Sequence, residues 1–183
     1  MIKAGVGISE GKESYLVGIE ACQEAVNKLG TNEPDLIIVF SSIEYDPAEV
    51  MRGIRSIAPK ALLVGSSTAG EITTRGPATE HSVAVMAIKG AGVNFFGAVA
   101  TDIGKDATAG GKQVAEDIKK QAGDALSLLI MMPDVLVANG ADVVRGGGDH
   151  GFDHEAGLRH AGRHRQGEDG RRRRSALALD AVD

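Results

Sequence analysis

The 183-residue chain has no tryptophan, two tyrosines and four phenylalanines, so aromatics make up only 3% of it. Proteins that stack bases or sugars on side chains use more rings than this, which argues against carbohydrate or single-stranded nucleic-acid recognition. Positive charge is not in excess either: 20 Lys and Arg stand against 25 Asp and Glu, a formal charge of −5. Nothing in that balance draws a phosphate backbone or an anionic membrane. One cysteine, Cys22, excludes an internal disulfide and a cysteine-based zinc site. No apolar run reaches the length of a membrane span, and the opening MIKAGVGISEGKESY lacks a signal-peptide core. The expectation is a cytoplasmic protein without nucleic-acid or membrane partners.

What is present is aliphatic. Hydrophobic residues make up 43% of the chain, mostly Val, Ile, Leu and Ala, enough for one domain with its own core. The composition breaks at one place. From Gly146 onward the sequence reads GGGDHGFDHEAGLRHAGRHRQGEDGRRRRSALALDAVD, with seven of the eleven Arg, four of the five His and no Lys. Seven acids balance those arginines, so the whole −5 belongs to residues 1–145. The tail has too few large apolar residues to offset the entropy of ordering them, so residues 146–183 are expected to be disordered. The basic run Arg171–Arg174 stands alone without interleaved aromatics and reads as a solvated end. GC-rich coding DNA read out of frame gives the same mixture of Gly, Arg, His, Asp and Ala, so an out-of-frame origin is a second reading of the tail.

Within residues 1–145, strand candidates lie at Ile2–Ser9, Asp35–Ile43, Ala61–Ser66, Ser82–Lys89, Val93–Thr101 and Ala125–Met132. A helix from Glu13 to about Leu29 places Tyr15, Ile19, Cys22, Val26 and Leu29 on one stripe, with Gly30 as its stop. Cys22 in that stripe reads as a packed core thiol. A second helix opens at Asp46-Pro47, an N-cap followed by proline at the first helical position, with Val50, Ile54 and Ile57 inward. A third spans about Asp106–Gln121, and Asn139–Arg145 begins a fourth. The two strands flanking Gly90-Ala91-Gly92 read as an antiparallel hairpin. The fold class is therefore α/β: a layered, mixed sheet with helices and an internal antiparallel hairpin. Because the fourth helix meets the compositional break, the domain is expected to be incomplete.

Two catalytic motifs fail on chemistry. Asp106–Gln113, DATAGGKQ, has the strand-to-helix setting of a phosphate loop, but an acid replaces its first glycine and glutamine its last hydroxyl. Gly65–Ala69 resembles a nucleophile elbow at Ser67, yet Glu71-Ile72-Thr73-Thr74 follows it where a helix should start, and no partner triad is visible. His81 stands just before a strand, the usual place of a hydrogen-bonded or solvated histidine. The tail pairs His150/His154 and His160/His164 have helical metal-ligand spacing but lie in the Gly-interrupted segment.

There remains a cluster of small donors: Gly65, Ser66, Ser67, Thr68, Gly70 and Glu71 at the end of one buried strand, and Ser41 and Ser42 at the end of another. Ligands of open α/β sheets settle at the carboxyl ends of strands, where amides and hydroxyls converge. The competing reading is turn chemistry alone, since Gly, Ser and Thr also dominate loops.

Val64-Gly65-Ser66-Ser67-Thr68-Ala69-Gly70-Glu71-Ile72 resembles the signature of the FIST N-terminal domain, V-G-C-S-T-x-G-E-I, of the F-box and intracellular signal transduction proteins. The opening IKAGVGIS, the run Asp35–Ser42, Ser82–Ile88 ahead of a glycine turn, and Leu128–Asp134 followed by Asn139-Gly140 agree with it. The resemblance covers residues 1–145. Ser66 replaces the usual cysteine, which removes any thiol chemistry relatives have there. The resemblance implies a prokaryotic sensory input domain rather than an enzyme. Its ligand would be a small molecule such as an amino acid or derivative, bound by Ser41, Ser42, Gly65, Ser66, Ser67, Thr68, Gly70 and Glu71. No cofactor is expected, with haem held by His81 as the alternative because some members bind haem and sense nitric oxide. The chain has no output domain of its own, so its partner would be a separate histidine kinase, chemoreceptor or cyclic-dinucleotide enzyme. A serine hydrolase using Ser67 and a non-functional truncated product are the other readings.

Overall fold

Apolar runs and amphipathic stretches alternate in this chain because a layered fold needs a helix to cover each buried sheet face. The computed structural model describes residues 1–73, 76–77, 81–123, 126–134, 136–151 and 173–180. In chain order the elements are β1 (Ile2–Ser9), α1 (Ser14–Leu29), β2 (Leu36–Ser42), α2 (Pro47–Ile57), β3 (Leu62–Thr68), β4 (Ile72–Thr73), β5 (Gly76–Pro77) and β6 (Val83–Gly90). There follow β7 (Val93–Ala100), α3 (Ala107–Ala122), β8 (Leu126–Met132), α4 (Gly140–Gly151) and β9 (Arg173–Asp180). They fall into two compact units, Met1–Ala91 and Gly92–Asp183.

The first unit is built on a four-stranded sheet in the order β1-β6-β2-β3. β2 and β3 are parallel, and β6 runs antiparallel to both β1 and β2. Alternate residues of each strand turn to one face. Ile37 and Val39 of β2 and Val83, Val85 and Ala87 of β6 are buried there with Val17, Ala21, Cys22, Ala25 and Val26 of α1 and Val50 and Ile54 of α2. Both helices therefore cover the same face. α1 comes so close to β1 that a Cβ on Gly7 would collide with the Ala21 carbonyl oxygen. The stripe expected on α1 is accordingly rotated. Gly18, Ala21 and Ala25 are buried, while Tyr15 and Ile19 are only half-buried. Small residues mark a tight helix–sheet contact that a count of large apolar residues does not register. α2 begins as expected, with Asp46 Oδ1 accepting from the amides of Ala48 (2.8 Å) and Glu49 (3.3 Å) and Pro47 in its first turn.

β1 is an edge strand, and α1 covers its outer rim. The Ile8 amide donates to Glu24 Oε2 (2.9 Å), Lys28 Nζ donates to the Val6 carbonyl (2.9 Å), and Lys28 and Glu24 pair with each other at 2.9 Å. Two groups that would otherwise template another strand are occupied.

The hairpin expected across Gly90–Gly92 does not form. The chain does turn there, with Gly92 at φ +79, but both edges of β6 are taken by β1 and β2. Burying Val83, Val85 and Ala87 in mid-sheet outweighs pairing with the neighbour in sequence. An antiparallel hairpin exists elsewhere, between β4 and β5, where Ile72 pairs Pro77 and Thr73 pairs Gly76.

The second unit has an all-parallel sheet in the order β7-β9-β8. Ala100, Ile103, Val114 and Ile118 are buried together, with Phe96, Leu126, Leu129 and Met131 against them. α3 and α4 meet backbone to backbone: a Cβ on Gly111 would strike the Val143 carbonyl oxygen, and one on Gly146 that of Thr108. Asp106 caps α3 through the Ala109 amide at 2.9 Å, and Gly110 and Gly111 are buried. The residues of the abandoned phosphate motif thus have structural employment.

The expected break at Arg145 falls inside α4, which continues to Gly151, and Gly146 and Gly147 are buried. Residues 173–180 lie between β7 and β8 as β9. Residues 152–172 and 181–183 lie outside the described residues. Among those described, no helix is long and apolar enough to cross a membrane.

Candidate functional site

Parallel pairing brings the carboxyl ends of β2 and β3 to one edge of the first sheet, in register: Ser41 opposite Ser67 and Ser42 opposite Thr68. β6 begins at that edge and β1 ends there, so Ser9, Val83, Ser41 and Ser67 form one row across four strands. The sequence clusters at 41–42 and 65–71 are thus neighbours in space.

Strand alternation then divides them. Ser41, Gly65 and Ser67 point to the helix-covered face, and Ser42, Ser66 and Thr68 to the other. Consecutive serines cannot all serve a single crevice. Several hydroxyls are also engaged within the fold. Ser41 Oγ donates to the Ser42 carbonyl (3.3 Å), and Ser66 Oγ to that of Ser67 (3.0 Å). The buried Ser42 accepts from the Glu44 amide at 3.2 Å. Ser67 is exposed.

Glu71 is the most unusual member. Its carboxyl is 5% exposed and accepts from Thr68 Oγ1 and Ser82 Oγ. Burial raises its pKa above the ordinary glutamate value, and the Thr68 hydrogen bond offsets only part of that. Gly70, next to it, holds φ +155 in open space.

Three residues at this edge were not nominated from the sequence. Ser82 is fully buried and its carbonyl accepts from the Ser42 amide at 3.0 Å. Tyr45 is buried and ties the two strand-to-helix loops together, its hydroxyl donating to the Gly11 carbonyl (2.7 Å) and accepting from the Gly11 amide (3.3 Å). Ser9 donates to Glu20 Oε2 at 2.6 Å. A serine just before a strand gives no sequence signal until the strand's place between β1 and β2 is known.

His81 is exposed, and its ring meets that of Tyr45 edge-on at 6.4 Å. Cys22 is buried and desolvation pushes its thiol up to about 11, so it is the packed thiol expected and no nucleophile at neutral pH. Among the described residues, no three His, Cys, Asp or Glu gather as a metal site. The His150/His154 and His160/His164 pairs fall outside the described side chains. A shallow groove of 610 Å³ runs along α1, lined by Ile19, Glu20, Gln23, Glu24, Asn27 and Lys28. It contains none of the nominated residues, and its wide opening makes it helix surface rather than a ligand cavity.

The model of the FIST N domain matches residues 35–154 of this chain. That span takes in β2 to β8, the whole hydroxyl-lined edge except Ser9, and α4 beyond the compositional break. No curated protein matches. Among solved structures, a mutant of FtsZ from M. jannaschii is similar at 21% identity and a TM-score of 0.33, over 49% of this chain and 27% of that one. A likeness of that size bears on neither fold nor function. With the match to the family model extending over more than half its length, the chain belongs to the FIST N domain family, whose members are sensory domains of signal transduction.

Proposed function

We propose that this chain binds a small polar ligand, an amino acid or a derivative, at the carboxyl edge of its first sheet and passes that state to a separate signalling protein. The observation that carries the reading is the register of β2 and β3, which sets Ser41 against Ser67 and Ser42 against Thr68 beside Gly65, Ser66, Gly70 and Glu71. Short hydroxyl side chains at a parallel-strand edge are what a small polar molecule needs. A cytoplasmic histidine kinase, chemoreceptor or cyclic-dinucleotide enzyme of a prokaryote is the kind of receiver such an input requires.

Haem is the weaker alternative. Its only nominated ligand, His81, is exposed, and the residue beside it, Ser82, is buried against a carboxyl group, so the surroundings do not fit an apolar macrocycle. A hydrolase using Ser67 has less support still, because β3 leads through Gly70 into β4 and not into a helix.

The test is a thermal-shift screen of the full chain against the twenty amino acids and haem. A ligand present at about 100 times its dissociation constant stabilises by about 2.7 kcal/mol. Ser41→Ala and Ser67→Ala are expected to remove the shift without lowering the ligand-free midpoint. A shift that survives both variants would move the site elsewhere.

A further inference from the structure

Glu71 was nominated as a ligand contact, but its surroundings give it other work. In the sheet order β6-β2-β3, the strand between β6 and β3 is β2. Glu71 follows β3, yet its carboxyl takes hydroxyl donors from Thr68 on β3 and from Ser82 at the start of β6. It therefore reaches across the end of β2. The backbone repeats that link: the Ser42 amide donates to the Ser82 carbonyl (3.0 Å) and the Ile43 amide to the Thr68 carbonyl (3.3 Å). Hydroxyls from two strand ends meet at one buried carboxyl group, and Ser42, at the end of the strand between them, is 3% exposed.

We infer that Glu71 is a positioning residue of the hydroxyl-lined edge, a latch that fastens the segment after β3 over the end of β2 through Thr68 and Ser82. This rests on the edge being the binding site only for its consequence and not for its geometry. The consequence is that Thr68, Ser82 and Glu71 satisfy one another, so a ligand at this edge is left with Ser41 and Ser67 on one face or Ser66 on the other. The Thr68 hydroxyl favours the charged form of Glu71, but burial outweighs it, so opening of the segment, which hydrates the carboxyl, becomes easier as pH rises through the elevated pKa. The titratable groups nearby are His81, which precedes Ser82, Tyr45, whose ring meets that of His81, and Glu44, whose amide donates to Ser42.

Hydrogen–deuterium exchange of the ligand-free full chain tests this, followed in peptides covering 64–73, 81–87 and 14–29. Glu71→Ala is expected to speed exchange roughly tenfold in the first two and to leave α1 in the third unchanged, the scale of a lost buried hydrogen bond. Glu71→Gln keeps the latch, since its amide accepts from Thr68 and donates to Ser82, and its exchange, corrected for intrinsic rate, no longer depends on pH. Equal acceleration in all three peptides, or none, overturns the proposal. So does Glu71→Gln behaving like Glu71→Ala, or a pH response that persists in Glu71→Gln and disappears in His81→Asn. No ligand enters the measurement, so a failed ligand screen and a failed latch are separate results.

Discussion

The two units use glycine alike between helices and build their sheets differently. Gly18 and Gly53 let α1 and α2 touch backbone to backbone in the first, where Gly7 of β1 also lets α1 lie directly on the sheet, and Gly111 and Gly146 do the same for α3 and α4 in the second. The sheets are where the units part. The first threads an antiparallel strand, β6, between neighbours from the start of the chain, while the second is parallel throughout and takes its middle strand from residues 173–180. Both are closed by pairings between distant residues, Ile2 with Gly90 in the first and Val93 with Arg173 in the second, so each carries a loop-closure cost of similar size.

The sharpest way to break the comparison is to empty the first unit's core. Ile54, fully buried between α2 and its neighbours, is expected to cost about 2–5 kcal/mol on truncation to Ala. Denaturant unfolding reads the loss, and amide protection of α3 should be unaffected. Equal loss of protection in both units would make them one cooperative block. In the second unit, Gly146→Val forces α4 away from Thr108, an overpacking cost of about 1–3 kcal/mol, with protection lost in α3 and α4 and kept in α1. Of smaller size is the cap on α2: Asp46→Ala removes the acceptor for two amides and is expected to cost about 1 kcal/mol.

The last prediction concerns two carboxylates of the first unit with opposite shifts. Burial raises the Asp35 pKa, but hydrogen bonds from Lys89 (2.7 Å) and the Gly90 amide (2.9 Å) more than offset this and hold it below the usual aspartate value. Its contribution to stability is present above the unfolded pKa and is lost as pH falls through the folded one. Glu71 has the opposite sign: its contribution is full below the unfolded glutamate pKa and is lost as pH rises through the folded value. Unfolding curves across pH should therefore lose their acid limb in Asp35→Asn and their decline above the glutamate range in Glu71→Gln. Exchange of those two effects would reverse the assignment.

Much of this was legible in the sequence, for reasons that are local. The elements follow from apolar period, Asp46-Pro47 opens α2, Gly30 ends α1 with φ +78, and Cys22 is packed. The neighbouring of Ser41–Ser42 with the 65–71 cluster followed from two strands joined by one helix, which makes them parallel. What could not be read were pairings that depend on distant residues. β6 lies between β1 and β2 because its two faces suit the middle of the sheet, and nothing near Gly90–Gly92 announces that. Ser82 meets Glu71 only as a result of that placement. The rotation of α1 escaped because Gly18, Ala21 and Ala25 carry little hydrophobic signal, although Ala21 and Ala25 lie directly on Gly7 and Gly5 and Gly18 lies on Val50 of α2. The extension of α4 through Gly146–Gly148 was equally hard to read, because a glycine run looks like a loop until the glycine-bearing α3 is known to lie against it.

The rim of β1 has a consequence for self-association. With Glu24 and Lys28 holding the amide of Ile8 and the carbonyl of Val6, two backbone groups of this edge strand are withheld from strand-to-strand pairing with another copy. The same acid–base pair that seats α1 on the sheet thus narrows the length of border at which a second chain could add.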